Sequence, residues 1–281
     1  MPEVRSKDGA HIHYDDVGRG EPALLFIPGW CTTRAGFRQL LPRCASRRRV
    51  LSVDLRGHGA SSSGGTDFDS ATVLDDLLTV VRTSGARRIV PVALSHAGWW
   101  ALELRRELGA ERVPQLVLLD WIVTEPPPPF RDALQALVSD RWREARDGLF
   151  GMWLQGVEDK SIIRFVREDM GSFGEEMWAR AAREISSAYA REGSPLRALS
   201  ALTPSTPTLH LYSQPESHDY LEGQVAFGTQ NPWFHVMKLP AVSHFPALEV
   251  PDLVAAGIEA LVSARETYMN TTLDMPGPAP A

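Results

Sequence analysis

Three residues in this chain, in the order Ser95, Asp120, His244, are of the types that carry proton transfer or nucleophilic chemistry. A histidine titrates near neutral pH and serves as a base. A carboxylate bonded to its other ring nitrogen fixes the tautomer and stabilises the imidazolium. A serine beside them attacks an acyl carbon or hydrogen-bonds a substrate. Ser95 stands in Val92-Ala93-Leu94-Ser95-His96-Ala97-Gly98, with an apolar run before it and small residues after it. This is the strand–turn–helix pattern of a nucleophile elbow, altered from its usual Gly-x-Ser-x-Gly. Ala93 and Ala97 take the glycine places, and Gly98 comes one position late.

Asp120 closes Leu118-Leu119-Asp120-Trp121, and His244 lies in Ala241-Val242-Ser243-His244-Phe245-Pro246. Glu216 and Asp219 compete with Asp120 for the acid's role, but carboxylates are favourable at a helix N-terminus for their own sake. Asp120 is preferred because it follows its apolar run directly. His58, in Arg56-Gly57-His58-Gly59, reads as shaping a turn, and His11, His13, His210, His218 and His235 have no partner pattern.

Strands and helices must place these groups together. Ala23–Ile27 and Leu116–Leu119 are continuous apolar runs, as in strands buried on both faces, and Val50–Val53, Arg88–Leu94, Thr208–Ser213 and Trp233–Leu239 read as further strands. His11–Tyr14 alternates. Helical patterns cover Arg34–Ser46, the stretch from an Asp69 or Ser70 cap to Thr83, Trp99–Gly109, Tyr220–Gly228 and Pro251–Ser263. The alternation predicts an α/β fold with a mostly parallel sheet covered by helices on both faces. In such sheets, sites form beyond the carboxyl ends of strands. Trp30, His58, Ser95 and Asp120 all fall just after a strand.

Beyond Asp120 the pattern changes. Glu125-Pro126-Pro127-Pro128-Pro129 reads as a stiff linker. Phe130–Val138, Asp140–Leu154, Ser161–Met170 and Glu175–Arg191 are all helical, and predict a cap over the site. The expected division is core 1–122, helical cap 123–196, core 197–265 and a disordered tail 266–281. Ser, Asp and His in this chain order is the arrangement of the α/β-hydrolase fold. Its oxyanion site uses the N–H after the nucleophile, here of His96, and one from the loop after Ala23–Ile27, here of Trp30.

Composition narrows the classes. The 281 residues are 43% hydrophobic and 23% charged, with net charge -6, which excludes a nucleic-acid surface. Two cysteines are too few for a disulfide framework or a cysteine metal site, and fit a reducing cytoplasm. No signal-peptide core and no membrane-length apolar stretch is present in the sequence. The expectation is a cytoplasmic protein without membrane or nucleic-acid partners, a monomer or weak homo-oligomer.

The motifs also carry a narrower resemblance. Ile27-Pro28-Gly29-Trp30-Cys31, Ser95-His96 with Gly98-Trp99, Leu119-Asp120-Trp121, Ser213-Gln214-Pro215, Asn231-Pro232-Trp233-Phe234 and His244-Phe245-Pro246-Ala247 together span nearly the whole chain. So do Arg141-Trp142-Arg143-Glu144 and Gly148-Leu149-Phe150 with Trp153-Leu154 in the cap, whereas Arg56-Gly57-His58-Gly59 is generic to the superfamily. The chain resembles the cofactor-free 3-hydroxy-4(1H)-quinolone 2,4-dioxygenases of the α/β-hydrolase fold. The resemblance implies a quinolone substrate and O2, no cofactor and no metal. His244, oriented by Asp120, would take the 3-hydroxyl proton, and the anion would react with O2. A C2 peroxide would attack C4, releasing carbon monoxide and an N-acylanthranilate. Ser95 and Trp153 would contact substrate, and the N–H groups of Trp30 and His96 would stabilise the C4 oxygen.

Two positions depart from the family. Thr32 and Leu94 stand where members carry histidine. The pocket becomes less polar, which favours a long 2-alkyl chain and makes the 2-heptyl Pseudomonas quinolone signal the natural candidate. Phe130, Leu149, Trp153, Met177 and Trp178 are candidates to line its tail pocket. The rival readings are an esterase or lactonase using Ser95 as nucleophile, and a ligand receptor without activity.

Overall fold

Apolar runs this short bury both faces only inside a sheet, and here they pair into one of eight strands. The computed structural model describes residues 2–65 and 67–273, and of 265–273 the backbone alone. The strands are β1 (Glu3–Arg5), β2 (His11–Val17), β3 (Ala23–Ile27), β4 (Val50–Val53), β5 (Ile89–Leu94), β6 (Leu116–Leu119), β7 (Thr208–Tyr212) and β8 (Phe234–Lys238). Their order is β1-β2-β4-β3-β5-β6-β7-β8. β1 pairs with β2, and β2 with β4, antiparallel, and every other pairing is parallel. β3 to β7 and β4 are buried along their whole length.

The chain runs from β3 outward to β4, then returns to β5 on the other side of β3. This reversal opens a crevice at the carboxyl ends of β3 and β5. The register pairs Ile27 with Ala93, Leu94 with Leu119, and Leu119 with Leu211. The loops bearing Trp30, Ser95, Asp120 and Ser213 therefore leave the sheet side by side.

Eleven α-helices accompany the sheet among the described residues. α1 (Leu40–Ala45), α2 (Ser70–Thr83) and α3 (Gly98–Arg112) belong to the first half. Asp69 caps α2 by accepting the Thr72 N–H. The helix expected over Arg34–Ser46 is split into a 3-10 turn, Arg34–Phe37, and α1. Pro42 is the reason: inside a longer helix it would break the ladder, whereas in the first turn of α1 its missing N–H has no partner to lose.

Between β6 and β7 the chain forms α4 (Pro128–Leu137), α5 (Trp142–Trp153), α6 (Lys160–Arg164), α7 (Glu175–Glu192) and α8 (Pro195–Ser200). α4 begins two residues before the expected Phe130, because Pro128 and Pro129 suit the first helical turn. After α6 the backbone widens into a π-turn, Phe165–Asp169, then tightens into a 3-10 turn, Met170–Ser172. α9 (His218–Gln230), α10 (Pro246–Glu249) and α11 (Pro251–Leu273) complete the chain. α11 runs past the expected end at Ser263 into the segment read as a disordered tail, because no glycine or proline interrupts it before Pro276. Residues 274–281 of that expected tail lie outside the described residues. Cys31 and Cys44 are free and buried. No helix among the described residues is long and apolar enough to cross a membrane.

Candidate active site

Three non-glycine residues among those described adopt the left-handed backbone region: Cys31 at φ +55°, Ser95 at +54° and Asp120 at +48°. Each lies just beyond a strand, β3, β5 or β6. Such conformations are uncommon for residues with a Cβ and persist only where surrounding packing imposes them. At Ser95 the packing is visible. Ala93 and Ala97 are fully covered, and a Cβ on Gly98 would stand 2.2 Å from the Trp121 ring. The late glycine of the elbow thus admits Trp121, from the loop that carries Asp120. A Cβ on Gly29 would come 3.2 Å from the Leu94 carbonyl oxygen, so glycine there lets the β3 loop close on the elbow.

Asp120 is 2% exposed. Its Oδ1 accepts the backbone N–H groups of Ser213 at 2.7 Å and Gln214 at 2.9 Å. Its Oδ2 lies 2.8 Å from His244 Nδ1. The acid that meets the histidine is therefore Asp120. Glu216 instead reaches Lys238 at 3.4 Å, and Asp219 sits exposed in the first turn of α9. Ser213 and Gln214 also hold the histidine loop, donating to the carbonyls of Ser243 at 2.5 Å and Val242 at 2.6 Å. From the other side, the Glu249 carboxylate accepts the N–H groups of Val242 and Ser243. The His244 ring lies flat on Trp153, at the end of α5, with centroids 4.9 Å apart and planes at 14°. With Nδ1 committed to Asp120, Nε2 is the nitrogen left for a ligand.

His58 does more than shape a turn. It is 1% exposed, its Nδ1 donates to the Arg56 carbonyl at 2.7 Å, and its Nε2 accepts the Cys31 N–H at 3.0 Å. These partners require the neutral ring, and burial pushes its pKa down to about 4. His58 thereby pins the loop that presents Trp30. Arg56 is fixed in turn by a two-pronged bond to Asp76 of α2. Trp30 packs between Phe68, Trp100 and His58.

His210, which shows no partner in the sequence, has two here. Its Nδ1 meets Gln224 Oε1, and its Nε2 accepts the Trp121 N–H at 3.4 Å. Burial pushes its pKa down to about 4. It supports the Asp120–Trp121 loop from beneath. The signal was an imidazole between Leu209 and Leu211 of a strand, which burial obliges to find partners.

Ser95, Asp120, His244, Trp30, His96 and Trp153 all border one cavity of about 1200 Å³ between the strand ends and α4, α5 and α7. Thr32 and Leu94 border it too, and the Thr32 hydroxyl is spent on the Gly29 carbonyl at 2.8 Å. Phe130, Leu149 and Trp178 line the same space. Met177 is not among its lining residues; it packs beside Gly57 instead. Among the described residues, no group of three His, Cys, Asp or Glu is placed to hold a metal ion.

Comparison with known proteins follows the same lines. A model of the alpha/beta hydrolase family matches residues 24–257. The 2-heptyl-3-hydroxy-4-quinolone dioxygenase AqdC2 of Rhodococcus erythropolis is 36% identical over 94% of this chain and 99% of its own. The 1H-3-hydroxy-4-oxoquinoline 2,4-dioxygenase of Pseudomonas putida is 33% identical over 92% of this chain and 98% of its own. Among solved structures, an AqdC variant in complex with its substrate, solved for recognition and ring-cleavage of the Pseudomonas quinolone signal, superposes with a TM-score of 0.89. It shares 34% identity, over 94% of this chain and 99% of that one.

Proposed function

Since the chain belongs to the alpha/beta hydrolase family, and within it to the 3-hydroxy-4-quinolone 2,4-dioxygenases, we propose that it cleaves the nitrogen ring of 2-alkyl-3-hydroxy-4(1H)-quinolones with O2, releasing carbon monoxide and an N-acylanthranilate. The observation that carries the site assignment is the Asp120–His244 pair, seated against the flat face of Trp153 on the wall of a large, mainly apolar cavity.

His244 Nε2 takes the proton of the substrate's 3-hydroxyl. Asp120 holds the tautomer that leaves Nε2 free and balances the imidazolium that forms. The electron-rich anion combines with O2, and the peroxide at C2 closes on C4. The bonds from C3 to C2 and C4 break, and C3 leaves as carbon monoxide. The backbone N–H groups of Trp30 and His96 stabilise the charge that collects on the C4 oxygen. Ser95 hydrogen-bonds the substrate and does not attack it. The helices from α4 to α8 act as a cap, with Phe130, Leu149 and Trp178 against the alkyl chain. The biological consequence we favour is destruction of a quinolone signal inside the cell.

The test is anaerobic mixing of metal-stripped protein with 2-heptyl-3-hydroxy-4(1H)-quinolone, followed by admission of O2. Loss of quinolone absorbance with carbon monoxide appearing only after O2 is the expected result. Binding without turnover, or turnover without carbon monoxide, overturns the proposal.

A further inference from the structure

The Ser95 hydroxyl has a partner that is not the base. Its Oγ lies 3.2 Å from Nδ1 of the adjacent His96, and among the described residues no hydrogen bond joins it to His244. The His96 side chain is 8% exposed and borders the cavity. Phe130 of α4 stacks on its ring at 5.2 Å and 7°, and Tyr189 of α7 meets it at 5.7 Å and 75°. Its Nε2 is buried without a hydrogen-bond partner.

Burial, with His244 nearby, pushes the His96 pKa down to about 3, so the ring is neutral and carries one proton. On Nε2 that proton lies in the ring plane, so the stacked Phe130 face does not receive it, and Tyr189, set at 75°, is the aromatic ring of suitable inclination beside it. On Nδ1 it would leave a buried lone pair at Nε2 with no donor. The first arrangement presents the Nδ1 lone pair to the serine.

We propose that the His96 side chain is a positioning residue whose Nδ1 accepts the Ser95 hydroxyl hydrogen, withholding Ser95 from nucleophilic attack and turning its oxygen lone pairs to the substrate. This rests on the dioxygenase reading. The rest of a hydrolytic apparatus is present: a serine at φ +54° after β5 and a histidine paired to a buried carboxylate. A nucleophilic serine must pass its proton to a base as it attacks. A hydroxyl hydrogen directed at His96 meets a ring too weakly basic to keep it. For ring cleavage the same orientation is useful, because a hydroxyl that has spent its hydrogen offers an acceptor to the quinolone's N–H.

Wild type, His96→Leu and His96→Asn separate the possibilities through two readouts. The first is phosphonylation by a fluorophosphonate, in which the Ser95 Oγ–P bond forms, the P–F bond breaks, fluoride leaves and the serine proton passes to His244. The second is O2-dependent loss of 2-heptyl-3-hydroxy-4(1H)-quinolone. Leucine offers no acceptor, whereas the asparagine side-chain oxygen replaces Nδ1. Wild type and His96→Asn are expected to label slowly, and His96→Leu about tenfold faster or more, at Ser95. kcat/KM for the quinolone should fall about tenfold in His96→Leu and recover largely in His96→Asn. A folded His96→Leu that labels no faster than wild type overturns the proposal. So does rapid labelling of His96→Asn, which decides the matter if the leucine variant does not fold. Wild-type turnover of the quinolone is scored separately, so failure of the dioxygenase reading is distinguished from failure of the serine–histidine bond.

Discussion

Asp120→Asn separates the charge of the acid from its shape. Asp120 sits at φ +48°, a region asparagine adopts more readily than most residues, so the loop keeps its path. Oδ1 receives two backbone N–H groups, at 2.7 Å and 2.9 Å. The asparagine oxygen must take that place, because an NH2 group there would face two donors. The amide NH2 then points at His244 Nδ1 and donates to it. The imidazole proton moves to Nε2, the nitrogen that should receive the substrate's 3-hydroxyl proton. Positioned general-base catalysis contributes about 100- to 10000-fold. The equivalent change in a Ser-His-Asp triad costs about 10000-fold, through the same wrong tautomer. We therefore expect kcat to fall by about 1000- to 10000-fold, or ~4 to 5.5 kcal/mol of barrier. KM should move little, because the Asp120 side chain is fully covered. Initial rates of quinolone loss and O2 uptake in air-saturated buffer measure both constants. A loss of less than about tenfold would refute the claim that Asp120 acts by holding the His244 tautomer.

Other consequences are as direct. Gly98→Ala places a methyl group 2.2 Å from the Trp121 ring; overpacking of this kind costs about 1–3 kcal/mol or more, read as a lowered thermal midpoint, and an unchanged midpoint contradicts the packing argument. His58 and His210 titrate at about 4 and His96 at about 3, against an ordinary 6.5, so the unfolded chain takes up their protons first. The stability from burying these rings neutral is fully present above pH 6.5 and is lost as pH falls towards 4, with a slope of up to about 4 kcal/mol per pH unit for three protons. Urea midpoints at pH 7 and pH 5 test this, and equal values refute it. A 2-heptyl chain carries six more methylenes than a 2-methyl group, at about 0.8 kcal/mol each when buried, so kcat/KM should favour heptyl by about tenfold or more even with partial burial. Preference for the 2-methyl quinolone removes the case for Thr32 and Leu94 as determinants of chain length.

The parallel sheet was legible because its signal is local. Ala23–Ile27 and Leu116–Leu119 are unbroken apolar runs, as in a doubly covered strand, and each forms over those residues. The fold class followed, with Trp30, Ser95 and Asp120 at strand ends. What escaped the sequence was decided by partners distant in the chain. β1 is three residues long and exists by pairing with β2. In sequence His58 reads only as a turn former and His210 as idle, because their partners, the Cys31 and Trp121 backbone N–H groups, carry no residue-type signature.

The same distinction separates the two chemistries this fold supports. In chain order, Ser95, Asp120 and His244 are the set a hydrolase uses, and order alone does not say whether the serine is armed. That depends on which nitrogen its hydroxyl faces, and the residue that decides is its neighbour, His96. His96 is held by Phe130 and Tyr189, both from the helical segment between β6 and β7. The helices that enclose the cavity are therefore also what keeps Ser95 turned towards His96. A loss of the Phe130 stack should loosen that bond without touching any residue of the Asp120–His244 pair. On this proposal the loops beyond the strands supply Ser95, Asp120 and His244, and the inserted helices govern which reaction they perform.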